Sequence, residues 1–280
     1  MCRKLFLLIL VLGLAASASA QIKYTWTGAV CPRWTKTANW DLGALPGAGD
    51  TAQIDPGIVA DPIIHAGTPI PMDTALNRMV RTIKINTAMV HVKSGGQLIL
   101  YRGYVGQSGA GYGYTGTARL RICDGTVTTE SDFQVGRRED GLVELVDETS
   151  VLTVSKFRIG GSKNSETSTG FVHLYAGTLT CNTFQPYPDN PVTGDPSAMI
   201  DIRAGQLIVN FPETGSDILA FIMSGNITAY GRAYGDPGFG TVFDIFVEES
   251  GGIVTVYAIP EPATVALLGL GGLVLLRRKR

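Results

Sequence analysis

Short stretches of alternating apolar and polar residues recur at a regular distance through the middle of the chain. Five apolar–polar–apolar triplets follow one another at spacings of 28, 25, 29 and 28 residues: Val90-His91-Val92, Ala118-Arg119-Leu120, Val143-Glu144-Leu145, Val172-His173-Leu174 and Ile200-Asp201-Ile202. Alternation with a period of two is typical of a β-strand, because successive side chains point to opposite faces. A repeat of 25–29 residues indicates a solenoid in which each repeat forms one coil.

Two further apolar runs follow the triplets. An alternating pair begins seven to nine residues after each triplet starts: Leu98 and Leu100, Val127 and Thr129, Leu152 and Val154, Leu179 and Cys181, Leu207 and Val209. A third run ends on glycine in three repeats: Val105-Gly106, Val135-Gly136 and Ile159-Gly160. The pattern predicts an all-β fold, a right-handed parallel β-helix with about three strands per coil. An antiparallel sandwich is the alternative, but its tight two-residue hairpin turns are scarce here.

This alignment predicts which side chains form the core. The inward residues of the triplets are Val92, Leu120, Leu145, Leu174 and Ile202, and the outward residues are His91, Arg119, Glu144, His173 and Asp201. Cys181 shares an inward column with the second residues of the other pairs. We therefore expect Cys181 to be a buried, unreactive thiol.

Residues 21–88 precede the repeats, which we assign to residues 89–210, and contain every tryptophan: Trp26, Trp34 and Trp40. We expect these rings to form an aromatic plug in a cap at the amino-terminal end of the solenoid, with carbohydrate stacking by one ring as an alternative. The segment, with Asn39-Trp40, Pro46-Gly47 and Asp50-Thr51-Ala52, resembles the opening of secreted bacterial β-solenoid and autotransporter-like proteins.

Residues 211–258 follow the repeats and are predicted to close the other end. Helical spacing of apolar residues predicts a short helix over residues 216–224, with Ser216 as its N-cap and Gly225 after its end. Two strands are predicted after it, Thr241–Val247 and Ile253–Ala258. Together they would cover a strand edge that otherwise invites aggregation.

The first 20 residues have the pattern of a secretory signal peptide. Basic Arg3 and Lys4 precede an apolar stretch and then the small residues Ala18-Ser19-Ala20. We expect signal peptidase to recognise Ala18 and Ala20 and to cut before Gln21. The protein is therefore predicted to be secreted.

Residues 259–280 combine an extended break, a short apolar run and a basic end. Pro260 and Pro262 flank Glu261 and keep this segment extended. The 14 apolar residues that follow would span about 21 Å as a helix, less than the roughly 30 Å of a hydrocarbon core. The cationic end that resists translocation consists of Arg277, Arg278, Lys279 and Arg280. We predict a terminal transmembrane helix that stops the chain transiently, with a permanent single-pass anchor as the alternative.

This order of elements resembles the PEP-CTERM protein-sorting signal of Gram-negative bacteria that make extracellular polysaccharide. Ile259 departs from the valine that usually precedes the first proline. The resemblance implies that an exosortase cuts near Pro260-Glu261-Pro262 after secretion across the inner membrane. It also implies release from, or attachment at, the cell surface.

The chain between the two terminal segments is acidic. Residues 21–262 contain 17 basic and 24 acidic residues, a net charge of −7. Nucleic acid is therefore not an expected partner, because phosphate binding needs clustered cations. The three remaining cysteines, Cys31, Cys123 and Cys181, allow at most one internal disulfide, and the sequence does not decide whether it forms.

The sequence predicts no catalytic residues, no metal site and no cofactor. Opposite charges mixed along the outward column of the triplets are typical of a solvated sheet. The histidines and cysteines lack zinc-site spacing. A calcium ion held by the acidic residues between Asp124 and Glu148 is an alternative.

We therefore predict a secreted, surface-sorted, non-catalytic β-solenoid protein of the envelope or the extracellular exopolysaccharide or biofilm matrix. One alternative is a polysaccharide-acting enzyme of the same fold, a lyase or hydrolase. The other is a glycan-binding module that uses the tryptophans or the threonines that face outward in the second runs.

Overall fold

The computed structural model describes residues 21–66, 80–86, 88–107, 117–161, 168–186, 198–210, 215–233 and 245–259. These residues form an all-β solenoid of about six turns with little helix. Within the described residues the helical elements are a 3₁₀ turn, Thr37–Asn39, and one α-helix, α1, Gly215–Met223. The strands are β1 Lys23–Trp26, β2 Thr51–Ile54, β3 Ile63–Ile64, β4 Val80–Ile85, β5 Met89–Val105, β6 Ala118–Val135, β7 Gly141–Leu145, β8 Val151–Ile159, β9 Gly170–Leu174, β10 Thr178–Pro186, β11 Ala198–Ile202, β12 Gln206–Asn210, β13 Ile227–Ala229, β14 Ile245–Ser250 and β15 Ile253–Ala258.

The strands stack in parallel on three faces of the solenoid. The first face contains the triplets and comprises β3, the starts of β5 and β6, and β7, β9, β11 and β13. The second face contains the alternating pairs, in the middle of β5 and β6, the starts of β8 and β10, and β12. The third face comprises β1, β2, β4 and the ends of β5, β6, β8 and β10. The predicted parallel solenoid is confirmed, and the right-handed coil stays a prediction.

The register of the second triplet differs from the predicted one by two residues. Leu120-Arg121-Ile122, rather than Ala118-Arg119-Leu120, lies between Val90-His91-Val92 and Val143-Glu144-Leu145. The predicted alignment of this triplet was therefore wrong. Because side chains alternate with a period of two, a shift of two residues keeps each side chain on its predicted side of the sheet. Leu120 is still buried and Arg119 is still exposed.

The inward residues of the triplets are buried as predicted, but one outward residue is buried too. Asp201 is only 3% exposed, so the prediction that it faces solvent was wrong. Its carboxylate accepts hydrogen bonds from the Gly231 amide at 2.6 Å, the Thr228 hydroxyl at 3.1 Å and Arg203 Nε at 3.1 Å. The cause is β13 and the turn after it, which pack beside the last triplet strand and cover this carboxylate.

The second face has the predicted register throughout. Leu100, Thr129, Val154, Cys181 and Val209 stand in one inward column, and all are buried. Cys181 is fully buried, as predicted, and none of the three cysteines of the described chain forms a disulfide. The Thr129 hydroxyl lies inside this column without a hydrogen-bond partner in the described structure.

The third face contributes an aromatic ladder to the core. The rings of Phe133, Phe157 and Phe184 stack at centroid distances of 6.0 and 6.4 Å. Gly103 lies beside Phe133 in the same column, and the ring occupies the space that a Cβ would take. At the end of this face Gly136 has a φ of +75°, and its Cα approaches the Thr169 carbonyl of the next coil so closely that only glycine fits.

The three tryptophans form the predicted aromatic plug. Trp26, Trp34 and Trp40 are 1%, 0% and 2% exposed, and their ring centroids lie 4.7–6.3 Å apart. Carbohydrate stacking by these rings is therefore excluded in this structure, because no ring face is accessible. Parallel pairing of the third face already begins at β1, inside the segment assigned to the cap.

The carboxyl-terminal end of the described chain closes with a helix and a hairpin. Helix α1 ends before Gly225, whose φ is +79° and whose amide donates to the Ile222 carbonyl at 3.1 Å. Strands β14 and β15 form an antiparallel hairpin, and β15 pairs antiparallel with β12 at the edge of the second face. Strand β15 has its predicted bounds, whereas the first part of the other predicted strand lies outside the described residues.

Candidate functional site

The third face presents a row of long and short polar side chains on its outer surface. Lys23, Thr51, Thr82 and Arg102 occupy equivalent positions on the adjacent strands β1, β2, β4 and β5. The two threonines are buried to 5% and 7% exposure, whereas the lysine and arginine at the ends of the row are longer. A concavity therefore forms where the short side chains lie between the long ones.

This concavity is a pocket of about 300 Å³ that spans four coils. We call it the cationic pocket. Its lining residues are Gln21, Lys23, Thr51, Thr82, Lys84, Arg102, Tyr104 and Gln107. Three of these side chains are cations and none is an acid, so the pocket is positively charged within an acidic protein body.

The electrostatics of Lys84 show how strongly positive charge is concentrated here. Partial burial lowers the pKa of Lys84, and the charges of Lys23, Arg137 and Arg138 lower it further. All the charged neighbours that shift this pKa are cations. An anion in the pocket would therefore relieve both the repulsion and part of the lost solvation.

Several polar groups of the pocket have spare hydrogen-bonding capacity. Arg102 Nε and Gln107 Oε1 are buried without hydrogen-bond partners in the described structure. The Arg102 guanidinium packs on the Tyr101 ring at 5.1 Å from the centroid, and Arg137 packs on Tyr104 at 5.2 Å. The contact with Tyr101 holds the Arg102 guanidinium in place without neutralising it.

One coil beyond the cationic pocket, the third face contains acidic as well as basic side chains. There Asp132 and Arg158 form an ion pair at 3.5 Å. The two residues stand on β6 and β8, next to the strand that carries Arg102. This stretch therefore contains a carboxylate paired with a cation, whereas no acid lines the cationic pocket.

The outward column of the first face is a ladder of mixed charge. From coil to coil it runs His91, Arg121, Glu144, His173 and Asp201. Burial lowers the pKa of His91, partly against the attraction of Asp61. Within the described ranges no group of three or more His, Cys, Asp or Glu side chains is placed to hold a metal ion.

Asp147, one of the acidic residues considered for calcium, accepts several local hydrogen bonds. The Asp147 carboxylate accepts from the Asp124 amide at 2.8 Å, from the Ser150 hydroxyl at 2.7 Å and from the Thr149 hydroxyl at 3.1 Å. Burial works against ionisation of Asp147, but these hydrogen bonds outweigh it and the pKa of Asp147 is lowered. The arrangement closes the corner between the first and second faces.

The threonines predicted to face outward do form two adjacent columns on the second face. The first contains Thr126, Val151, Thr178 and Gln206, and the second contains Thr128, Thr153, Thr180 and Ile208. All eight residues are partly exposed. None of these side chains is charged.

The predicted processing residues lie outside the described part of the chain. They are Pro260, Glu261, Pro262, Arg277, Arg278, Lys279 and Arg280 in the tail and Ala18 and Ala20 at the start. The predicted terminal helix also lies there, and no helix in the described ranges is long and apolar enough to cross a membrane. The last described strand, β15, ends at Ala258, two residues before Pro260.

Sequence reasoning missed the cationic pocket. Its row of Lys23, Thr51, Thr82 and Arg102 has spacings of 28, 31 and 20 residues, which conceal the equivalence of the four positions. The available signal was the alternation within each strand, as in Val80–Ile85, where Thr82 and Lys84 alternate with apolar residues.

A family profile described as the PEP-CTERM protein-sorting motif matches residues 258–280. A search of curated proteins and a search of solved structures each found no match. The motif is the recognition signal for exosortase, and it implies a secreted bacterial protein that is sorted to the cell surface. The chain therefore carries a PEP-CTERM sorting motif directly behind a β-solenoid body, as an exosortase substrate does.

Proposed function

We propose that the protein is a non-catalytic structural component of the envelope or extracellular matrix of a Gram-negative bacterium. In this proposal signal peptidase removes residues 1–20 and exosortase cuts near Pro260-Glu261-Pro262. The right-handed solenoid is then released into, or attached to, a matrix that contains exopolysaccharide. The observation that carries the proposal is the PEP-CTERM match, which begins at Ala258, the last residue of β15.

The fold supports a structural role. The inward columns of the three faces form a continuous apolar core from the tryptophan plug to the β14–β15 hairpin. Each coil contacts its neighbours through parallel ladders, so stability accumulates along the stack as in other solenoids. The outer surface that results is long and repetitive, which suits contact with a repetitive polymer.

Processing is tested by the intact mass of the protein purified from its native host. We expect a mature chain that begins at Gln21, ends near Glu261 and lacks Arg277–Arg280. Replacing Pro260-Glu261-Pro262 with three alanines should leave an uncut form in the membrane fraction. Glu148→Ala, which removes an exposed acid from the body, is the control and should be processed normally.

Three results would contradict the proposal. A native protein whose chain ends at Arg280 would identify the tail as a permanent anchor. Correctly processed protein that is absent from both the matrix and the cell surface would contradict the structural role. Release of shortened chains or new reducing ends from polysaccharide by the purified protein would favour the enzyme instead.

A further inference from the structure

We propose that the cationic pocket binds carboxylate-bearing sugar units of an acidic polysaccharide. This deepens the proposed function, on which it rests for the place where the protein meets its ligand. The site consists of Lys23, Lys84 and Arg102 around a floor formed by Thr51 and Thr82.

The charge of the pocket selects an anion. The secreted body has a net charge of −7, so three cations without a lining acid are not a consequence of composition. Partial burial, and after it repulsion from Lys23, Arg137 and Arg138, makes the charged form of Lys84 costly and lowers its pKa. A bound oxyanion would stabilise these cations, and charge-assisted hydrogen bonds are the stronger ones.

The length of the pocket selects an extended ligand. Lys23 and Arg102 stand on strands that are three steps apart in the sheet, a distance of about 14 Å. A single inorganic anion would contact one end of this row and leave the other cation unpaired. A short oligomer would reach both ends.

The neutral groups between the cations favour a sugar over a polyphosphate. Thr51 and Thr82 separate Lys23 from Arg102, and Gln21 and Gln107 add amide groups at the sides. Hydroxyl and amide groups pair with sugar hydroxyls, while a polyphosphate presents charge at every step and would leave them poorly matched. Arg102 supplies the planar donor set that recognises a carboxylate in a bidentate manner.

The test is calorimetric titration of the purified full chain, kept in mild detergent, with sugar oligomers of matched length. The probes are an oligogalacturonate, a neutral oligoglucose, a sulfated oligoglucose and inorganic phosphate. We expect the oligogalacturonate to bind most tightly. We also expect its affinity to fall as salt rises from 0.1 M to 1 M, where the screening length falls from about 10 Å to about 3 Å.

Three variants locate the binding. Lys84→Gln and Arg102→Gln should each raise the Kd for the oligogalacturonate by about tenfold or more, the effect of losing one charge-assisted hydrogen bond. Lys156→Gln removes a partly exposed cation from the same face outside the pocket and should change the Kd less than about twofold. Circular dichroism spectra and thermal unfolding of the three variants verify that each is folded.

The outcomes separate this inference from the proposed function. Equal binding of neutral oligoglucose, equal binding of inorganic phosphate, or tighter binding of the sulfated oligomer would each overturn the ligand assignment. Folded Lys84→Gln and Arg102→Gln proteins with wild-type affinity would overturn the site. Failure of the processing experiment leaves this titration unaffected, and a protein found in the matrix that binds no acidic sugar would refute the pocket alone.

Discussion

The threonine inside the second face provides a direct test of the core. Thr129 is 3% exposed, stands between Leu100 and Val154 in the inward column, and has a hydroxyl without a hydrogen-bond partner in the described structure. A buried hydroxyl that makes no hydrogen bond costs about 1–3 kcal/mol. Valine has the same shape and replaces this hydroxyl with a methyl group. We therefore expect Thr129→Val to raise the free energy of unfolding by about 1–2 kcal/mol.

Urea unfolding followed by far-ultraviolet circular dichroism measures this effect. The midpoint should rise while the m-value stays unchanged, because the surface exposed on unfolding is the same. In thermal unfolding, the melting temperature should rise by about 2–4 °C per kcal/mol for a chain of this size. Thr128→Val, on the outer side of the same strand and partly exposed, is the control and should change stability by less than about 0.5 kcal/mol. A Thr129→Val protein that is less stable than wild type at an unchanged m-value would refute the argument.

Three further predictions concern backbone geometry, a buried carboxylate and thiol reactivity. Gly136→Ala should destabilise the protein by about 2–3 kcal/mol in urea, more than Gly43→Ala, which shares the positive φ but has open space around it; equal losses would exclude the steric cause. Asp201→Ala should lower the free energy of unfolding by about 3 kcal/mol in the same assay, because it leaves a buried hydroxyl and a buried amide donor without their acceptor. A loss below about 1 kcal/mol would contradict this. Peptide mapping should show that iodoacetamide modifies Cys31 before Cys181. The pKa of Cys31 is lowered, mainly by a neighbouring backbone hydrogen bond, whereas Cys181 is fully buried. Equal rates of modification would argue against a closed core.

The parallel solenoid could be predicted from two features of the sequence. Apolar and polar residues alternate with a period of two, which indicates strands, and the alternating runs recur every 25–29 residues, which indicates stacked coils. The register of one triplet could not, because Ala118-Arg119-Leu120 and Leu120-Arg121-Ile122 satisfy the same alternation. The turn between the first and second faces decides which of these two triplets pairs with its neighbours, and the length of that turn varies from coil to coil. In β5, for example, Ser94 and Gly95 adopt positive φ and add a bulge opposite Asp124.

The burial of Asp201 and the cationic pocket were beyond prediction for a different reason. Asp201 is covered by β13 and the turn after it. The alternation of apolar and polar residues in the sequence does not indicate that contact. The pocket depends on pairing between β1, β2 and β4. These strands lie in residues 21–88, which were predicted to be a cap because they contain every tryptophan. Stretches of 24 and 25 residues separate these strands along the sequence, so the equivalence of their residues appears only in three dimensions.

The order of strands makes the stack of coils a spacer between the cationic pocket and strand β15, from which the sorting motif continues. The cationic pocket involves β1, β2, β4 and β5, whereas the sorting motif continues from β15 at the other end. Six strand steps separate β4 from β15, a distance of about 29 Å along the stack. In the proposed secretion route, this length would separate the pocket from the membrane while the uncut tail holds the chain.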